Sequence, residues 1–161
     1  MFSPADVANY FIRKSKEQGS PLTQMKLHKL IYFAHGWNLS INKSPLIDEA
    51  IEAWDYGPVV PSIYHEFKEF GSRPISRYAF EDFIDLSPIS DPPTVALLDR
   101  VWNLYGKWTA VQLSERTHEA NGPWDMTRRA NPGIKGADIP NTDIQAFFER
   151  KAASNRNAAA R

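Results

Sequence analysis

Apolar positions recur at helical spacing along most of this chain. Ser3 and Pro4 read as an N-cap and a first helical position, Val7, Tyr10, Phe11 and Lys14 share one face, and Gly19 supplies a stop. That pattern predicts a first helix over roughly 4–18. The next segment, "LTQMKLHKLIYFAHGWNLSI", carries the strongest signal. Leu27, Leu30, Ile31, Ala34 and Asn38 fall on one face, with Phe33, Trp37 and Ile41 beside it and Thr23 ahead as a cap. A stripe this wide predicts a helix over about 24–41 that is buried on more than one side and forms the centre of the fold.

The stretch "EAWDYGPVVPSIYHEF", 52–67, interrupts the pattern. Ile51 and Ala53 alternate with charge, which suits a short strand, and Gly57-Pro58 is a turn signal. Val59, Ile63 and Phe67 then follow at i, i+4, i+8, predicting a helix over about 59–70 in which Pro61 is tolerable only in the first turn. Gly71 ends it, and Ile75 to Tyr78 is a candidate hairpin partner for 51–54. Asp91, Pro92 and Pro93 start a helix carrying Val95, Leu98, Val101, Trp102 and Tyr105 as far as Gly106. Thr109 and Gln112 form a capping box for a helix through about Thr117. "NGPWDMTRRANPG" holds a short helical turn, and a last helix begins at Asn141, its cap, anchored by Ile144, Phe147 and Phe148. The expected fold is mainly α: a compact single-domain helical bundle over 1–150 with a small β-hairpin, followed by a frayed tail at 151–161.

Composition agrees with that class. The chain has 161 residues, 42% hydrophobic and 24% charged, enough for a core without metal or disulfide staples. A net charge of +0 argues against a broadly basic nucleic-acid footprint. The absence of cysteine removes thiol catalysis and thiolate metal sites. No basic, apolar leader opens the sequence and no run approaches the length of a membrane span, so the expected location is the cytoplasm.

A search for chemistry finds little. His28 and His35 lie seven apart, about 10 Å along a helix, too far to share one zinc. His65 and His118 each precede a glutamate, but adjacent helical residues point different ways. Ser114 and His118 form an i, i+4 pair without an orienting acid, and no phosphate-binding glycine loop occurs. The carboxylates Asp48, Glu49, Glu52 and Asp55 read as a solvated face. No catalytic residue, metal or cofactor is therefore expected. Two other functions remain on the residues alone: a phage-associated regulatory or nucleic-acid-binding protein using Lys26, Lys29, Arg128, Arg129 and Arg150 as a basic patch, and a hydrolase using His118.

What stands out is aromatic. Trp37 and Trp102 sit in helical stripes and read as core, whereas Trp54, Tyr56 and Trp124 flank turns, where a ring either plugs the core or anchors a partner. Trp54, Tyr56 and Tyr64, on a backbone fixed by Gly57 and Pro58, are the candidate partner-binding residues.

In order, "KLHKLIYFAHGW" (26–37), "EAWDYGPVVPSIYHEF" (52–67) and "LSERTHEANGPW" (113–124) resemble the Panacea domain, the family of SocA-like and GepA-like phage-associated proteins. The resemblance implies a predominantly helical, non-enzymatic antitoxin of a toxin–antitoxin system. Its partner would be a cognate protein toxin encoded beside it and neutralised by direct binding, in some members with presentation to a AAA+ protease. No membrane is implied, and nucleic acid is not the expected partner. Some members carry an extra DNA-binding or other N-terminal module; this sequence starts directly with the domain, which weighs against transcriptional autoregulation. The resemblance assigns no catalytic role to the 54–59 corner, which it presents first as a fold feature.

Overall fold

The computed structural model describes residues 1–82 and 88–161, and within them the chain is mainly α with one small antiparallel sheet. Helix α1 (Pro4–Gln18) opens on a reciprocal capping box between Ser3 and Asp6 and closes at Gly19, whose φ of 59° is left-handed. Helix α2 (Gln24–Asn42) is capped by the Thr23 hydroxyl, which accepts the Lys26 N–H. Strands β1 (Glu52–Trp54) and β2 (Gly57–Val59) follow, then α3 (Pro61–Phe67) with a 3-10 turn at Lys68–Phe70. Helix α4 (Pro92–Tyr105) starts from an Asp91 cap and α5 (Ala110–Thr117) from the Thr109–Gln112 capping box. Helix α6 (Pro123–Ala130), strand β3 (Ala137–Asp138) and α7 (Asn141–Ala159) complete the order. Among the described residues no helix is long and apolar enough to cross a membrane.

Helix α2 is the axis around which the rest packs, against α1, α4, α5, α7 and β2. Burial on every side follows from its width of apolar sequence: all residues from Lys26 to Gly36 are buried, and Asn38 to Ser40 as well. Ile41, expected beside that stripe, is 58% exposed. The tightest approach is to α7. The Phe148 ring lies so close to Gly36 that a Cβ there would sit well inside van der Waals contact. Around this point Tyr32, Phe33 and Trp37 meet Phe148 edge to face, and Phe33 stacks on Tyr105 at 4.1 Å.

Four expectations need correction. Ile75–Tyr78 does not pair with β1. The strand order is β2-β1-β3, with Trp54 opposite Gly57 and only Asp55 and Tyr56 between them, and β3 on the other edge. A two-residue hairpin closes a far shorter loop than a partner twenty residues on. Ile75 instead donates its N–H to Leu22 O (2.8 Å), and Ala79 exchanges hydrogen bonds with the Asn9 amide. The helix expected from 59 starts at Pro61, because Val59 is taken by the sheet. Asn141 is not a side-chain cap; its Oδ1 lies 2.8 Å from His35 Nε2. Finally, Lys26 and Lys29 contribute to no basic patch, since both are buried (8% and 1% exposed). Helix α7 runs through to Ala159, with its residues exposed from Ser154 onward.

The Gly36–Phe148 contact generates a specific expectation. Gly36→Ala should overpack the α2–α7 seam and lower stability by about 1–3 kcal/mol. Phe148→Leu in the same chain should recover part of that loss, so that chemical denaturation gives a double variant more stable than the sum of the singles.

Candidate functional site

The three sequence blocks that carry the family resemblance meet in space at the β1–β2 hairpin. A two-stranded hairpin is marginal on its own, and here side chains from three helices hold its backbone. From α2, Lys29 Nζ donates to Pro58 O (3.2 Å), and His28 Nδ1 accepts the Val60 N–H (3.2 Å). From α5, Ser114 Oγ donates to Tyr56 O (2.7 Å). From α6, Trp124 Nε1 donates to Trp54 O (2.7 Å), and Arg128 donates to Ala53 O (3.2 Å) and Asp55 Oδ1 (2.8 Å). Gly57 is required at the centre: its φ is 110°, and a Cβ would lie 2.7 Å from Thr117 Oγ1 and 2.8 Å from Lys29 Cε.

Beside this clasp lies a cleft of about 700 Å³ between the start of α2, the hairpin, α3 and the start of α5. Its floor includes His28 and Lys29, and its walls include Trp54, Tyr56 and Tyr64. Trp54 and Tyr64 lean together with ring centroids 4.7 Å apart. Tyr56, at the hairpin tip, is 72% exposed, and Val111 across the mouth is 61% exposed.

The floor is electrostatically unusual. Burial pushes the Lys29 amine down to about 7. His28 is driven down to about 3, first by burial and then by the neighbouring Lys29. His118, at the end of α5, is lowered by burial and by Lys29, and its ring lies over Trp124 at 4.0 Å. Because His28 Nδ1 is an acceptor, the neutral ring carries its proton on Nε2. That Nε2 is buried and has no partner among the described residues, and the same is true of His118 Nε2. Among the described residues Lys29 forms no ion pair, and Asp55, the acid nearest the mouth, is taken by Arg128.

The structure therefore brings Trp54, Tyr56 and Tyr64 to one wall and buries Gly57 and Pro58 beneath them. The Ser114–His118 pair does not meet; each serves the hairpin or Trp124 instead. Sequence reasoning passed over Lys29 and Ser114 as hairpin ligands. The available signal was a lysine inside an apolar stripe at the heart of the strongest helix. The stock of indoles also has an internal use: all five tryptophans donate Nε1–H within the molecule, to Tyr105, Glu52, Gln18, Leu104 and Trp54. Among the described residues no three His, Asp or Glu side chains converge as metal ligands.

The fold is a helical core that clasps a short aromatic hairpin. The model for the SocA-like antitoxin, Panacea domain, matches residues 27–125, a span that contains the clasp residues His28, Lys29, Ser114 and Trp124 but not Arg128. The chain belongs to this family. Antitoxin SocA of Caulobacter vibrioides (strain NA1000 / CB15N) is 34% identical over 126 residues, covering 74% of this chain and 67% of the relative. No solved structure matches it.

The buried amine makes stability depend on pH in a definite sense. Lys29 is held near 7 when folded against the ordinary lysine value of 10.5, so between those values the unfolded chain binds the extra proton and stability rises with pH. The contribution is complete above about 10.5 and is lost as pH falls through about 7. Lys29→Met should remove this rise, so that in urea titrations the wild-type minus variant difference climbs with pH across that window. Below pH 7 the variant should be the more stable protein, by an amount on the order of a few kcal/mol.

Proposed function

We propose that this chain is an antitoxin that neutralises a toxin encoded beside it by direct protein–protein binding, with the hairpin tip and the adjoining cleft as the contact face. The family and the name of the Caulobacter relative support the antitoxin role. The observation that carries the choice of face is the state of Tyr56. Its backbone carbonyl is bound by Ser114 while its ring is 72% exposed, so a large side chain is presented on a backbone already fixed. A ring held this way loses little freedom on binding, which is where aromatic anchors gain their affinity. Trp54 and Tyr64 form the wall behind it, and buried Gly57 and Pro58 act through the shape of the corner rather than by contact.

Occlusion of a toxin asks for no catalysis. The nucleic-acid alternative loses its main support, since Lys26 and Lys29 are buried and Arg128 and Arg129 are paired with Asp55 and Asp125.

Co-expression of the neighbouring reading frame with this chain should restore growth, and a tagged copy should co-purify with the toxin. Tyr56→Ala should leave the melting temperature within about a degree or two of wild type, as an exposed substitution does. It should weaken the complex by about thirtyfold, the equivalent of ~2 kcal/mol. Unchanged affinity in folded Tyr56→Ala, Trp54→Ala and Tyr64→Ala proteins would place the contact face elsewhere.

A further inference from the structure

The cleft floor offers hydrogen-bond donors and nothing to receive them. Lys29 has a single acceptor, the Pro58 carbonyl at 3.2 Å, for an amine able to donate three times when protonated. His28 is 3% exposed and its Nε2–H is unpartnered, and both side chains line the cleft. Buried donors left unpaired are unfavourable, and a ligand that supplies acceptors relieves them. A cationic or donor-rich ligand would make the floor worse. We propose that the cleft is a recognition pocket for a carboxylate: an acidic side chain of the bound partner passes between Tyr56 and Val111 and takes hydrogen bonds from Lys29 Nζ and His28 Nε2.

The rim decides between a polypeptide and a small free acid. Tyr56 (72% exposed) and Val111 (61% exposed) line the cleft yet remain largely exposed, and a small acid seated on Lys29 is too small to cover both. A polypeptide that inserts one acidic residue between apolar neighbours covers them. This deepens the docking proposal above and rests on it for the occupant being a protein. The groups facing the Lys29 amine are His28 on its own helix, the Pro58 carbonyl on β2, and Thr117 with His118 on and just after α5. Among the described residues none of these is an acid, and Asp55, the carboxylate that lines the same cleft, is paired with Arg128, so an inserted carboxylate supplies Lys29 with a free anion and converts an amine poised near 7 into a charged ammonium.

The test follows Lys29 directly. In the full-length chain with 13C at the lysine Cε positions, the Lys29 signal is assigned by its loss in Lys29→Met, or in Lys29→Gln should the first not fold. Its pH titration is recorded with a blocked leucyl-glutamyl-leucine peptide, its glutaminyl counterpart, and propionate at equal concentration. The glutamyl peptide should raise the Lys29 midpoint by about 1 pH unit or more, and the other two should leave it in place. An equal shift with the glutaminyl peptide would overturn carboxylate recognition. An equal shift with propionate would overturn the polypeptide occupant, and no shift with any probe would overturn the pocket. Growth rescue by the full chain is scored separately, so a failed rescue sinks the toxin reading and a flat titration sinks this one.

Discussion

A lysine amine that forms no ion pair among the described residues holds the β-hairpin against the core. Burying an ammonium is expensive, and the protein meets that by letting the Lys29 amine shed its charge near neutral pH. What the amine supplies in return is an anchor under Pro58, at the point where Gly57 turns too tightly for any other residue. Lys26 solves the same problem differently. Its stem is buried while its ammonium caps the end of α4 at the Gly106 carbonyl, where the helix dipole favours a cation. Both lysines sit on α2, so one helix both fills the core and dictates where the hairpin lies.

The arrangement sorts the aromatic residues into two groups. The indoles are framework: each Nε1–H has an internal acceptor, and Trp37 and Trp102 pack among Phe148 and Phe11. Trp54 is intermediate, since it supports Tyr64 and donates to Glu52 (2.6 Å) while still lining the cleft. Tyr56 belongs to neither the core nor its hydrogen-bond network; only its main chain is used.

Much of this was legible in the sequence because it is local. Helix starts followed from Ser3, Thr23, Asp91 and Thr109, whose hydroxyl or carboxylate oxygens do accept the N–H groups expected of them. The width of the α2 stripe foretold its central place. What was not legible is long-range. Nothing in Ile75–Tyr78 reveals that Leu22 claims the Ile75 N–H or that Asn9 ties down the adjoining Ala79, and nothing in Ala137–Asp138 marks it as the second neighbour of β1. Lys26 and Lys29 misled because charge was read as a surface property, whereas a long side chain can place its amine on a backbone carbonyl inside the protein. The cleft floor was invisible for the same reason: it is made of atoms left over after the hairpin is bound, and their availability appears only in three dimensions.

The hairpin loop is two residues long, and its six-residue surroundings are gripped by main-chain contacts that do not involve the side chain at position 56. Substitution there is consequently decoupled from folding. A lineage can exchange the Tyr56 ring for another group without having to repack the interior that displays it. In this molecule the freedom to vary is concentrated at a single protruding residue, and the hydrogen-bonded backbone around it is what makes that freedom usable.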